Sequence, residues 1–408
     1  MEYVQRGTRE FKRINLALFA GGFSTFAILW GTQPLLPDLS KEFHISPAVS
    51  SLSLSSATIA LSIGLLIAGS LSEVFGRKSV MMISLFASSI LLILTAFAPN
   101  FHFLIVGRIL QGISLAGLPA VAMAYLGEEI APKSLGMAMG LYISGNSIGG
   151  MAGRIISGIL TDYFGWHIAL IGIGLISLAA SFVFLLTLPK SSHFNPQKFL
   201  IKQLGSALFS QFKEPGLTYL FIIGFLLMGS FVSLYNYIGF QLIKPPYSLS
   251  QTLVGFIFIV YIVGTFSSTW MGMLADKYGK RKILQFSLVI LLIGACITLN
   301  TNLWFKILGI AIFTYGFFAS HSIASGWVGK AATHDKAQAS SLYLFFYYAG
   351  SSIGGTAGGT FYSHFGWYGV VSMIVVLAII AIIVSIRLGT VATSKLQVPA
   401  YQGMRKSS

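Results

Sequence analysis

The sequence predicts an all-α integral membrane protein: twelve transmembrane helices in two pseudo-symmetric six-helix bundles, with both termini cytoplasmic. Three observations carry that expectation. Of the 408 residues 55% are hydrophobic and only 9% charged, with a mean hydropathy of +0.80. Soluble domains carry about 25% charged residues and have no way to hide so much apolar surface. Second, Gly69-Ser-Leu-Ser-Glu-Val-Phe-Gly-Arg-Lys78 returns as Gly272-Met-Leu-Ala-Asp-Lys-Tyr-Gly-Lys-Arg281, an offset of 203 residues and half the chain. Self-similarity at that period means two copies of one architecture rather than a stacked solenoid. Third, lysine and arginine gather on alternate connections between the apolar runs.

Crossing ~30 Å of hydrocarbon takes about 20 apolar residues. Runs of that length centre near Phe26, Ile59, Ser89, Leu115, Ile148 and Ser177, then Met228, Val263, Ile290, Tyr315, Gly350 and Val376. The first follows a polar, basic segment, Met1 to Arg13, and is too long for a cleaved signal core, so it is retained as a helix. The decapeptide turn joins the second and third runs, and its copy joins the eighth and ninth. Most connections are short. The exception, Pro189 to Pro215, is polar and carries Lys190, Lys198, Lys202 and Lys213. The expected division is therefore a first bundle over residues 1–188, a cytoplasmic linker over 189–215, a second bundle over 216–388 and a cytoplasmic tail over 389–408. With the N-terminus inside, 21 of the 26 lysines and arginines fall on cytoplasmic segments, and only Lys41, Lys244 and Lys306 fall outside. That bias sets the orientation.

Several function classes drop out. The formal charge of +15 is scattered over short loops instead of forming a basic face, so nucleic acid is not a partner. The one cysteine, Cys296, supports neither a disulfide framework nor a thiolate metal site. No metal or cofactor is expected. There is no catalytic constellation and no Walker-type loop, so the chain is not expected to be an enzyme or to use ATP. A parallel-repeat membrane protein of this kind reads as a transporter, its partners a small-molecule substrate and the lipid bilayer.

The paired turns have a physical logic. Gly69 and Gly76, like Gly272 and Gly279, permit a sharp reversal with close backbone approach. Glu73 can pair with Arg77, and Glu128 and Glu129 at the end of the fourth span can complete a charge network. Asp276, Lys280 and Asp335 offer a second network. The alternative is ordinary solvated loop charge. A further duplication, Gly145-Asn-Ser-Ile-Gly-Gly-Met-Ala-Gly153 and Gly350-Ser-Ser-Ile-Gly-Gly-Thr-Ala-Gly358, lies in the fifth and eleventh spans. Gly145, Gly149 and Gly153 recur every four residues, the close-packing pattern of membrane helices. Those three are expected at the contact between halves, and with Gly150, Gly350, Gly354 and Gly355 they are expected to pack helices. Phe164-Gly-Trp166 likewise returns as Phe365-Gly-Trp367.

Arg108 and Arg154 lie within membrane segments, at a shared depth. A charge there costs ~2.5–3.5 kcal/mol or more and usually faces a cavity with a partner. All eleven carboxylates lie in loops or at helix ends; Asp38 and Asp162 are the nearest candidate partners. Either arginine has a purely structural alternative, tied to carbonyls. His321 is the other mid-segment ionisable group; its ordinary pKa near 6.5 suits a proton carrier, and the alternative is a hydrogen-bonded packing histidine. The remaining cavity candidates are Trp30 and Gln33 in the first span, Gln111, Tyr142, Asn146, Tyr235, Asn236, Tyr237 and Tyr347. Within Tyr235-Asn-Tyr237 the asparagine seeks a polar partner in hydrocarbon, and successive residues do not all face lipid.

On these residues the chain resembles the major facilitator superfamily along nearly its whole length, most closely its twelve-helix drug/proton antiporter branch. Gly69 to Lys78 matches that family's loop 2–3 signature, and Gly272 to Arg281 its loop 8–9 echo. Val106-Gly-Arg-Ile-Leu-Gln-Gly112 is similar to its embedded arginine motif, and Gly145 to Gly150 to its antiporter motif, with Asn146 where proline is usual. Thr32-Gln-Pro-Leu-Leu-Pro-Asp38 resembles the first-helix ending of exporters in this branch. Glu73 replaces the usual aspartate. The resemblance implies the major facilitator fold, a monomer in a bacterial cytoplasmic membrane, charge networks that latch the cytoplasmic side, and proton-coupled efflux of small amphipathic compounds by alternating access. Drug/proton antiporters of the family carry a titrating carboxylate in the cavity, and this chain has none. The alternative function is therefore a transporter of organic or inorganic anions bound by Arg108 and Arg154; a sensor or scaffold that keeps the fold is a third.

Overall fold

A computed structural model describes residues 3–194 and 201–396. Lys198 of the expected linker and the tail beyond residue 396 lie outside the described residues. Among those described there is no strand, only an isolated bridge between Val4 and Ile130. Helix is what a lipid-facing backbone requires, because every N–H and C=O must be satisfied within its own segment.

Helix α1 (Arg9–Trp30) starts where the Thr8 hydroxyl accepts from the Phe11 N–H. Pro34 then disfavours helix at Gln33, so Gln33 sits in the turn beyond α1 rather than within it. Two short helices, α2 (Leu36–Glu42) and α3 (Pro47–Ser50), lead into α4 (Leu52–Phe75). Gly76, at φ +89°, turns the chain into α5 (Arg77–Thr95). Asn100 caps α6 (Phe101–Leu115), which α7 (Gly117–Glu129) follows almost directly. The long α8 (Pro132–Thr187) bends at Gly165, φ +82°. The predicted polar linker contains a helix, α9 (Ile201–Gln211). The second half repeats the plan with α10 (Leu217–Ile243), α11 (Gln251–Phe256), a 3-10 turn over Ile257–Val260, α12 (Tyr261–Tyr278), α13 (Lys280–Ile297), α14 (Leu303–Ala331) and α15 (Lys336–Leu396). Gly279 at φ +98° and Gly366 at φ +60° stand where Gly76 and Gly165 stand in the first half. These left-handed positions favour glycine at four matched sites, so the repeat extends to backbone conformation. Among the described residues nine stretches are long and apolar enough to cross a membrane, the bent α8 and α15 among them.

The duplicated glycines pack helices within each half. A Cβ on Gly149 would overlap the Phe23 carbonyl of α1, and one on Gly350 would overlap the Phe225 carbonyl of α10. Gly145 and Gly153 meet Phe19 and Ala27, and Gly354 meets Gly229. The expected role of Gly145, Gly149 and Gly153 at the contact between halves is corrected: that stripe turns inward, onto α1 of its own bundle. Other glycines make the seam. Gly158 abuts Gln251 and Gly255, and Gly359 abuts Ala48; each stands seven residues before its bend glycine.

Hydrogen bonds crossing the seam cluster on one side. Ser55 and Ser352 exchange hydroxyl-to-carbonyl bonds of 3.1 and 2.9 Å, and the Ser55 and Thr356 hydroxyls lie 2.9 Å apart. Asp38 accepts from Gln251, and Asp162 accepts from the Thr252 hydroxyl at 2.7 Å. These contacts lie on the face opposite the Gly76 and Gly279 turns. On the turn face, Arg77, Lys280 and Lys330 bind partners within their own halves.

Candidate functional site

Arg154 is carried on the first leg of α8 at the seam, and is 1% exposed. Its Nε donates to Gln33 Oε1 and its Nη1 to the Gly150 carbonyl, both at 2.7 Å. Gln33 Nε2 in turn donates to Asn236 Oδ1 on α10 at 2.7 Å. An arginine, a glutamine and an asparagine thus form a polar chain from one half to the other. Three rings enclose the guanidinium: Trp30 at 4.7 Å and Phe258 and Tyr261 at 4.9 Å from Cζ to ring centre. Cation–π contact partly replaces the hydration lost on burial. No carboxylate pairs with it among the described residues. The expected partners are corrected here: Asp38 and Asp162 engage Gln251 and Thr252 instead, because both lie in the layer beyond Gln33 at the opposite face.

Arg108 is a different object. It is 0% exposed and points into the first half. Its Nε donates to the Ser53 carbonyl at 2.7 Å, its Nη2 to the Leu29 carbonyl at 3.0 Å, and its Nη1 to Gln111 Oε1 at 2.6 Å and the Ile28 carbonyl at 3.4 Å. Gln111 Nε2 goes on to Thr95 Oγ1 at 3.1 Å. Every guanidinium nitrogen is satisfied, tying α6 to α1 and α4. The two arginines that the sequence grouped by depth therefore do not share a chamber.

An aromatic array leads away from Arg154 into the second half. Tyr235 stacks on Phe258 at 5.2 Å and holds Thr314 Oγ1 at 2.7 Å. Phe231 lies 4.8 Å from Tyr235 and stacks on Phe317 at 3.8 Å. Beyond Phe317 comes His321, 4.5 Å from Tyr347 and hydrogen-bonded through Nδ1 to Tyr343 Oη at 2.9 Å. Tyr237 turns aside, donating to the Gly355 carbonyl at 2.6 Å. Tyr142 packs in a separate first-half cluster with Leu118, Tyr125 and Phe184, and Asn146 rests against Gly22 of α1.

The sequence missed Phe231, Phe258, Tyr261, Phe317 and Tyr343, which line this array. Their signal, aromatics on the seventh, eighth, tenth and eleventh spans, is the same one lipid-facing rings give. The sequence placed Lys306 on the outer side and gave no sign of its burial. Lys306 is 2% exposed, donates to the Thr298 carbonyl and lies over the Trp367 and Tyr247 rings at 5.3 and 5.6 Å.

On the turn face, Arg77 makes a two-pronged pair with Glu128, at 2.8 and 3.3 Å, and lies 4.0 Å from Glu73. Glu129 is engaged elsewhere, accepting from the Ser192 and His193 N–H groups at 2.7 and 3.0 Å. Asp276 pairs with Lys330 at 3.3 Å, and Lys280 donates to the Gly326 carbonyl at 3.2 Å. Asp335 contacts His334 at 3.2 Å. Its expected place beside Asp276 and Lys280 is corrected, since it stands past the end of α14, whose own Lys330 reaches Asp276 first.

The sequence profile described as Major Facilitator Superfamily matches residues 18–244 and 238–403. The chain belongs to the Major Facilitator Superfamily. This superfamily member is 54% identical over 382 residues to the uncharacterized MFS-type transporter YybF of Bacillus subtilis, covering 94% of this chain and 95% of that one. It is 48% identical over 387 residues to the inner membrane transport protein YnfM of Escherichia coli, covering 95% and 93%. Among solved structures, a bacterial homologue of the human lysosomal transporter Spinster superposes with a TM-score of 0.78 at 15% identity, over 97% of this chain and 100% of that one. The nucleoside transporter NupG gives 0.75 at 19% identity, over 93% and 99%. The chain is a multi-pass membrane transporter, not an enzyme.

Proposed function

We propose that this superfamily member is a secondary active transporter that carries a small anionic solute by alternating access, with Arg154 as the anion-binding group. The observation that carries this reading is the Arg154 guanidinium, buried at the seam with amide and carbonyl partners and no acid among the described residues. Gln33, itself held by Asn236, is an exchangeable neutral partner, so a carboxylate or phosphate supplies the opposite charge, and the two-pronged pairing, that the resting site lacks. Arg108, saturated by carbonyls, belongs to the framework in this reading, and the anion site is Arg154 alone. Twelve crossings come from counting both legs of α8 and α15 separately and adding α13, which is not among the nine stretches above. The basic turn face is then cytoplasmic with both termini, the membrane is a bacterial cytoplasmic one, and the unit is a monomer divided at 189–215.

A second reading, proton-coupled efflux of small amphipathic compounds, is favoured by the aromatic array from Phe258 to Tyr347, with His321 as its proton carrier and the paired charges of the turn face as its gate. One experiment separates the two: inside-out vesicles holding the chain are given organic anions or lipophilic cations under a pH gradient. Anion uptake that falls roughly thirtyfold or more in Arg154→Ala is expected for a lost buried charge contact. Uptake of cations alone, unchanged in that variant, overturns the first reading in favour of the second.

A further inference from the structure

The opposite face closes on an arrangement the transport reading does not use. Asp38 on α2 and Asp162 at the end of the first leg of α8, both from the first half, converge on the first turn of α11 in the second half. Asp38 accepts from Gln251 Nε2, and Asp162 accepts from Thr252 Oγ1 at 2.7 Å and from the Thr252 N–H at 3.3 Å. Beneath them, Gly158 lies so close to Gln251 and Gly255 that a Cβ would meet backbone at 2.8 and 3.1 Å. The matching stretch before Phe365-Gly-Trp367 carries Ser363 and His364, so the acids are one-sided.

We propose that Asp38 and Asp162 are positioning residues that latch the opposite face, and that Asp38 makes the latch respond to the pH on that face. Asp162 is exposed and supplies a constant pair of bonds. Asp38 is partly buried. Burial raises its carboxyl pKa most, against the Gln251 hydrogen bond and the Lys41 ammonium on its own helix, while the Asp162 carboxylate adds to the rise. The result is a group pushed up from an ordinary 3.8 to about 6 in the closed seam. Opened to water, the carboxyl returns toward its ordinary value. The closed form therefore holds the proton more tightly, and protonation favours closure. That contribution is complete below 3.8 and is lost as pH rises through 6.

The test uses the full-length chain in liposomes with no solute present, so it succeeds or fails independently of the anion reading. Cys296→Ser removes the native thiol, and spin labels at Tyr163→Cys and Trp304→Cys report the distance across the opposite face. Lowering the pH on that face from 7.5 to 4.5 is expected to raise the closed-to-open ratio at least tenfold. Asp38→Asn, neutral at every pH, should stay closed and lose that response. Asp162→Asn should lower the closed fraction at both pH values and keep the response. A pH-invariant distance in the parent protein, a wild-type response in Asp38→Asn, or an unchanged closed fraction in Asp162→Asn overturns the proposal.

Discussion

Two arginines of similar depth and equal burial do different work because their acceptors differ. Arg108 donates to three backbone carbonyls and to Gln111, so Arg108→Ala removes a buried donor from all four acceptors. Each buried unsatisfied acceptor costs about 1–3 kcal/mol; thermal unfolding in detergent should show a drop of several degrees or more, whatever remains of transport. Arg154→Lys tests the opposite role. One ammonium is too compact to reproduce a planar fork held between Gln33 and Gly150 inside three rings. Folding should survive and solute affinity should fall at least tenfold in a direct binding titration. A variant that binds as tightly as the parent removes Arg154 from the site.

At the scale of helices, stability rests on how closely backbones approach. Because α1 and α8 touch at Gly145, Gly149 and Gly153, Gly149→Val forces a side chain into the Phe23 backbone. Without a hydrophobic force to hold membrane helices together, lost packing has little to replace it. That variant should express poorly and elute as aggregate in size-exclusion chromatography. Gly140→Ala is the control, since nothing lies within 4 Å of its Cβ, and it should behave as wild type. The stripe itself was legible from its four-residue spacing. Which helix it faces was not, because a helical period fixes a face and leaves the neighbour undetermined.

For the whole molecule, transport requires that the seam open on the opposite face at some stage. The Ser55 and Thr356 hydroxyls, 2.9 Å apart across it, offer a lock. Replacing both by cysteine on the Cys296→Ser background should give a disulfide that stops transport, with recovery on adding reductant. Full activity of the cross-linked protein would mean that this seam does not move. The Asp38 latch acts on the same seam, so low pH on that face and the cross-link should bias the molecule toward the same closed form.

The sequence by itself determined the membrane class, the duplicated halves and the glycines of the turns, because hydropathy, repeat spacing and left-handed backbone positions are local properties that each residue writes directly. It also marked Arg108 and Arg154 as costly and therefore meaningful. Tertiary structure alone decided that one is walled in by carbonyls while the other bridges the halves through Gln33 and Asn236, and that Asp38 and Asp162 reach α11. Those contacts join residues 55 to 213 positions apart. Their energies depend on which buried acceptors lie within 3 Å, a quantity that packing sets and spacing along the chain does not.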